Sequence, residues 1–178
     1  MKFTKVNDEV LYSTENIVKV DALDINELKQ KARLNHRKRI RLCAHKSVDE
    51  NIHEMFIIHE KSCYVRPHKH IDKVESFHII EGKVDILLFD ENGRINNLIP
   101  MGDYASGRKF FYRLPPSHFH TLIIRSEVLV FHEITNGPFN PDDTVWADWA
   151  PAETEEYKVV EYRAFLKNEI KSGYRKEK

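Results

Sequence analysis

The chain has 178 residues, with 28 basic and 28 acidic side chains and a formal net charge of zero. This balance excludes a strong overall attraction to nucleic acid or acidic surfaces, and the lack of a long apolar run argues against a membrane span. The length suits one domain with a sizeable core. Cys43 and Cys63 are too few for a disulfide framework, and the polar N-terminus lacks the apolar core of a signal peptide, so we expect the protein in the cytoplasm.

The N-terminal segment, residues 1–38, is predicted to form an extended arm and a short helix. Asp24 followed by Glu27 matches a capping box, which predicts that the helix begins there. The apolar stripe of this helix consists of Ile25, Leu28 and Ala32.

Seven basic residues with few acids between them occupy the segment Lys29–Arg41. The simpler interpretation is a solvent-exposed helix face and loop. The alternative is a site for an anionic group such as a phosphate.

Residues 39–137 change to short β-like runs separated by turns, with Gly82 supplying the turn between two of them. Many short strands without intervening helices predict a β-sandwich or a β-barrel. The runs are Met55–His59, Ser76–Ile80, Val84–Phe89, Phe110–Leu114, Thr121–Ile124 and Val128–Ile134.

The C-terminal segment, residues 138–178, is predicted to end in a helix packed on the β domain, so that the three segments form one domain overall. Pro151 precedes an acidic stretch, Glu153–Glu156, which suits the first turn of a helix. Apolar residues then recur at roughly helical spacing from Tyr157 to Ile170.

Two histidines and a glutamate carry the chemistry of the β region. Residues two apart in a strand project to the same face, so His68 and His70 can bind the same metal ion. Glu75 follows after a short connection. In a closed barrel the run that begins near His120 can lie beside this pair, so a fourth ligand is available. Imidazole and carboxylate suit several transition metals and do not choose among them.

These residues fall into two motifs that resemble the signatures of the cupin superfamily. The first is His-x-His-x4-Glu-x6-Gly, which ends at Gly82, and the second is Pro-x-Ser-x-x-His, which ends at His120. The second departs from the usual pattern at Ser117, where Gly is common, and at Ile124, where Asn is common.

The resemblance implies a mainly β fold, a jelly-roll (double-stranded β-helix) barrel with short N-terminal and C-terminal helices outside it. It also implies one divalent metal ion, Zn, Fe, Mn or Ni, bound by His68, His70, Glu75 and His120. Many cupins pair through their barrels, so a homodimer is expected by analogy.

Longer stretches resemble one group within that superfamily, the WbuC family of cupin-fold metalloproteins. They include Tyr64–His70, Leu88–Gly93, Arg113–Pro116 and Trp149–Glu153, and the likeness runs from about Asp24 to Leu166. Members of that family tend to accompany genes for bacterial surface-polysaccharide (O-antigen) synthesis. The resemblance therefore implies a sugar or sugar nucleotide as the substrate.

Three further residues are candidates for a catalytic role. Tyr64 and Arg66 share the parity of the two histidines, so Arg66 is predicted to face inward and pair with a substrate carboxylate or phosphate, unless it is an outward, structural residue. His118 is predicted either to assist as a proton shuttle or to lie exposed in a loop.

The preferred function is a metalloenzyme acting on a small polar or anionic molecule. Three neutral imidazoles and one carboxylate leave a divalent ion with a charge of about +1, and a six-coordinate ion keeps open positions for an oxygen ligand. The first alternative is a non-catalytic, metal-dependent ligand-binding module. The second is a metal-independent sugar-nucleotide epimerase or ketoisomerase.

Overall fold

The computed structural model of the protein describes residues 1–173, so the last five residues of the predicted C-terminal segment, 174–178, lie outside the described residues. Within residues 1–173 the chain forms twelve β-strands and two α-helices. The strands are β1 Phe3–Lys5, β2 Val10–Ser13, β3 Arg39–Cys43, β4 Ile52–Glu60, β5 His68–His70, β6 Glu75–Glu81, β7 Lys83–Phe89, β8 Ile95–Gly102, β9 Phe111–Leu114, β10 Phe119–Ile124, β11 Val128–Asn136 and β12 Thr144–Trp146.

The strands form two sheets. The large sheet has the order β1-β2-β3-β4-β11-β6-β9, and the small sheet has the order β12-β5-β10-β7-β8. All neighbours are antiparallel except β2 and β3, which are parallel. This confirms the predicted mainly β, jelly-roll architecture.

The core lies between the inward faces of the two sheets. Phe77 and Ile79 on β6 alternate with exposed residues, as a half-buried strand requires, and Phe131 lies opposite Ile79 on β11. Val84 and Ile86 contribute from the small sheet to the same cluster. Burying each such side chain stabilises the fold by about 1.5–3 kcal/mol.

Helix α1 spans Ala22–Leu34 and covers the outer face of the large sheet. Ile25, Leu28 and Ala32 are buried, as predicted. The predicted helix start at Asp24 is wrong, because Asp21 is the N-cap and accepts hydrogen bonds from the backbone of Leu23 and Asp24. The Asp24 carboxylate accepts a hydrogen bond from the backbone of Asp21 and also pairs with the amino group of Met1 at 3.0 Å.

Helix α2 spans Glu156–Gly173, three residues later than the start of the predicted acidic first turn, and buries Val159 and Leu166. Within residues 1–173 neither helix combines the length and the apolar character that crossing a bilayer requires.

The N-terminal segment contributes strands to the large sheet, and the C-terminal segment contributes one strand to the small sheet. Strand β3 begins at Arg39 and β11 ends at Asn136, close to the predicted limits of the β region. Strand β2 of the N-terminal segment nevertheless pairs with β3, and β12 of the C-terminal segment pairs with β5. The second pairing brings the C-terminal segment beside the strand that carries His68 and His70.

Candidate metal centre

Three polar side chains from both sheets converge inside the barrel. His68 on β5 lies directly opposite His120 on β10 in the small sheet. Glu75 reaches them from β6 of the large sheet. One ligand atom from each lies within 4.8 Å of the others, a spacing at which all three can bind one cation.

Two buried atoms at this point face each other without an aligned hydrogen bond. Glu75 Oε2 lies 2.9 Å from His120 Nε2. Neither atom has an aligned hydrogen-bond partner among residues 1–173, although the side chains are only 7% and 1% exposed. A buried polar atom without a partner costs about 1–3 kcal/mol, and a bound cation would satisfy both atoms at once.

The histidine rings are held by contacts on the side away from the cluster. His68 Nδ1 donates to the carbonyl oxygen of Arg66 at 2.8 Å, and His120 Nδ1 donates to that of His118 at 3.0 Å. A carbonyl oxygen can only accept, so the proton of each neutral ring lies on Nδ1. The lone pair on Nε2 is then available to a metal, as in most protein histidine sites.

The Glu75 carboxylate controls the protonation of this cluster. Burial alone would raise the pKa of Glu75, but His120, His70 and His68 hold it well below its usual value. Burial would lower the pKa of His120, yet the charge of Glu75 raises it overall. Burial lowers the pKa of His68 to about 3, so this ring is neutral near pH 7. The site therefore attracts positive charge, either a proton or a metal ion.

His70, the fourth predicted ligand, lies beside the cluster. Its Nε2 is 3.1 Å from Glu75 Oε1, and its Nδ1 is 3.1 Å from the hydroxyl of Thr144 on β12. The ring is thus aimed at the carboxylate that the other two histidines approach. Binding of a metal by all four residues stays a prediction.

The turn before β10 ties the two motifs together. Ser117 adopts the left-handed conformation, with φ of 65°, at the position where the cupin motif often carries Gly. Its backbone nitrogen donates to the carbonyl oxygen of His70 at 2.7 Å. This contact fixes the loop that leads to His120 against the strand that carries the first two histidines.

The three predicted catalytic residues have other contacts. The Tyr64 hydroxyl donates to the carbonyl of Pro151 at 3.0 Å, and Arg66 donates to that of Ala147 at 2.7 Å while its guanidinium lies 6.0 Å from the ring centre of Trp146. His118 is exposed, and its Nδ1 contacts the backbone of the preceding prolines. The structure does not bring these side chains into the cluster, and a role for them in catalysis stays a prediction.

Residues that the sequence did not single out as site residues also face the interior. Glu133 has the parity of buried Phe131 on β11, and its pKa is raised to about 8 by burial and by the Glu75 charge. The hydroxyl of Tyr112 is buried without a hydrogen-bond partner within residues 1–173. The sequence signal for Glu133 was a charged residue at an inward position of an alternating strand.

The donor set fits a divalent transition metal. His120 Nε2 and Glu75 Oε2 have no aligned hydrogen-bond partner within residues 1–173. Together with the His68 imidazole they are ligands that suit zinc, iron, manganese or nickel. His70 Nε2 lies 3.1 Å from Glu75 Oε1, beside this set of three ligands.

Sequence comparison gives one partial match. The family model described as "Domain of unknown function (DUF6016)" matches residues 20–101. This region contains α1 and the strands from β3 to β7, including His68, His70 and Glu75, but it ends before His120. No curated protein matches the chain.

Several solved structures are similar to the chain over a little more than half of its length. Protein SO0799 from Shewanella oneidensis is 12% identical, with a TM-score of 0.49 over 60% of this chain and 72% of that one. Capsular polysaccharide assembling protein CapF from Staphylococcus aureus is 19% identical, with a TM-score of 0.48 over 60% and 29%. Oxalate decarboxylase from Bacillus subtilis is 19% identical, with a TM-score of 0.44 over 56% and 24%.

The chain therefore spans less than a third of the length of the last two proteins. Likenesses at these identities and TM-scores transfer no activity, ligand or partner to this chain.

Proposed function

We propose that this protein is a cupin-type metalloprotein that binds one divalent cation on His68, Glu75 and His120, with His70 as the fourth ligand. The observation that supports this most directly is the approach of two buried atoms, Glu75 Oε2 and His120 Nε2, which lie 2.9 Å apart without an aligned hydrogen bond beside His68. The sequence motifs include all four residues, and His68, Glu75 and His120 also lie close together in the fold.

We further propose that the site acts on a small polar or anionic molecule. A bound divalent ion supplies Lewis acidity, which polarises an oxygen ligand of the substrate. Carboxylate, hydroxy-acid and phosphate oxygens are the groups that a site with a net charge of about +1 favours.

The chain's own groups divide the remaining tasks. His68 and His120 are held by the carbonyls of Arg66 and His118, so they keep their orientation when a ligand arrives. Glu133, half-buried on the inward face of β11, holds a proton near neutral pH because burial disfavours its charged form. It can give that proton to, or take one from, a substrate in the interior.

Binding of oxalate tests the proposed function, since its two carboxylates can occupy two open positions of one ion. We expect oxalate to bind the Mn²⁺-loaded protein at least about tenfold more tightly than acetate, because the second carboxylate binds within the same complex. Isothermal titration calorimetry measures both affinities, and the metal content is determined again after each titration. Equal binding of oxalate to metal-free protein would contradict the proposal.

The finer assignment rests on the sequence motifs alone. From the WbuC-like stretches we propose that the substrate is a sugar or sugar nucleotide of bacterial surface-polysaccharide synthesis, and that the protein acts in the cytoplasm. A homodimer paired through its barrels belongs to the same proposal.

A further inference from the structure

Five of the seven basic side chains of the segment Lys29–Arg41 pair with carboxylates within the fold. Arg41 differs from the other six, because its side chain has no hydrogen bond or salt bridge within residues 1–173. The other six pair as follows: Lys29 with Glu81, Lys31 with Glu27, Arg33 with Glu60, Arg37 and Arg39 each with both Glu9 and Glu153, and Lys38 with the carbonyl of Arg33.

Arg41 lies on the inward face of the large sheet. It pairs with Ile57 across β3 and β4, and it shares parity with Cys43, a residue of the core between the sheets. The alternate residues, Ile40 and Leu42, instead pack in the cluster beneath α1. The guanidinium is therefore directed away from the helix, although Arg41 remains exposed.

A cavity of about 90 Å³ lies beside Arg41. Its volume suits several water molecules or one compact anion of four or five heavy atoms. The residues that line it are Glu9, Arg39, Ile40, Arg41, Ile57 and His59.

His59 is the second unpartnered group at this cavity. It is 8% exposed, and its Nδ1 is buried without a hydrogen-bond partner within the described part of the chain. Burial, followed by the charges of Arg39 and Arg41, lowers its pKa to about 3, so the ring is neutral at ordinary pH. A neutral imidazole carries one N–H and one lone pair, and each normally finds a partner when buried.

The charge around the cavity favours an anion. Arg37 and Arg39 are matched by the two carboxylates of Glu9 and Glu153, and Arg41 adds an unmatched positive charge. A guanidinium has several N–H donors in a plane, which suits the oxygens of a phosphate or carboxylate.

We propose that Arg41, Arg39 and His59 form a binding site for a small oxyanion, the phosphate or carboxylate group of a ligand. Arg41 supplies the unpaired charge, Arg39 is held in place by its two carboxylates, and His59 supplies a buried polar group. The site narrows the anion-binding interpretation of the basic segment to two of its arginines, Arg39 and Arg41.

The proposed anion site is separate from the candidate metal centre. Arg41 pairs with Ile57, which pairs with Phe131, whereas the metal ligand Glu75 pairs with Thr135 four residues further along β11. Four residues of a strand span roughly 13 Å. An anion can therefore occupy the cavity whether or not a metal is bound.

The test uses metal-free full-length protein, so that anion binding to a metal cannot contribute. Inorganic phosphate, sulfate and acetate are titrated at constant ionic strength by isothermal titration calorimetry, and the imidazole nitrogen resonances of His59 are followed by NMR. Comparison of phosphate and sulfate with acetate shows whether the cavity prefers a tetrahedral, phosphate-like anion or a carboxylate. The variant is Arg41→Gln, and the matched control is Arg113→Gln, which replaces an exposed arginine on β9.

We expect at least one of these anions to bind and to shift the His59 resonances. Arg41→Gln should weaken that binding at least about tenfold, because it removes a charge-assisted contact, while Arg113→Gln should change it by less than about twofold. Absence of binding by all three anions, or equal weakening in both variants, would overturn the proposal. Neither result would bear on metal binding, which is measured independently.

Discussion

Replacement of Glu75 by Gln is expected to lower the affinity for a divalent transition metal at least about 100-fold. Removal of a group that hydrogen-bonds to a metal ligand already lowers metal affinity about 10–100-fold, and this substitution removes the negative charge of a ligand itself. Gln has nearly the same shape as Glu, so the barrel should remain folded. The affinities follow from competition with a chromophoric chelator at pH 7, and circular dichroism checks the fold.

Glu81→Gln is the matched control, because Glu81 lies at the opposite end of the same strand and pairs with Lys29 at the surface. We expect its metal affinity to stay within about twofold of the wild type, since a surface ion pair contributes little. Similar losses in both variants would mean that Glu75 acts through the stability of β6 and not as a ligand.

The second large effect is expected at Gly82, the last residue of the first motif. Gly82 has a φ of 93°, and a Cβ atom there would lie 2.3 Å from the carbonyl oxygen of Val128 and 2.4 Å from the hydroxyl of Ser126. Gly82→Ala must strain the backbone and push two strands apart. We expect it to lower the free energy of unfolding by about 3 kcal/mol or more, as measured by urea denaturation.

Gly107→Ala is the control that separates the effect of backbone strain from that of steric overlap at Gly82. Gly107 also has a positive φ, 69°, but a Cβ atom added there would have no other atom within 4 Å. Its replacement should cost only about 1–2 kcal/mol, the penalty of the left-handed conformation for a residue with a side chain. If both substitutions destabilise equally, close packing against β11 is not the reason for glycine at position 82.

The strands and the candidate ligands were predictable from the sequence because they depend on local patterns. Alternation placed β6, β7 and β11 within one or two residues, and the two-residue spacing of His68 and His70 put both rings on one face. The approach of His120 to Glu75 was predicted from the closed barrel and from the resemblance of the two motifs, and not from local patterns. No local rule joins residues 45 positions apart.

The features that the sequence missed depend on contacts between distant segments. Thr144 is 74 residues from His70, whose ring it contacts, and nothing in its local sequence marks it. The helix start was misplaced because Asp21 and Asp24 both have the side chain of a cap, and the amino group of Met1 favours the arrangement observed. The sequence does not show which of the seven basic residues pair with acidic side chains from distant segments, so it could not single out Arg41 as the residue without a partner within residues 1–173.

The metal content of the protein tests the central proposal most directly. Elemental analysis is carried out on the protein as purified and after incubation with zinc, manganese, iron and nickel, followed by removal of unbound ions, and it is repeated on His68→Ala. We predict about one tightly bound divalent ion per chain in the wild type and a large loss in the variant. A wild-type chain that retains none of these metals, or a variant that retains as much as the wild type, would contradict the proposed metal site.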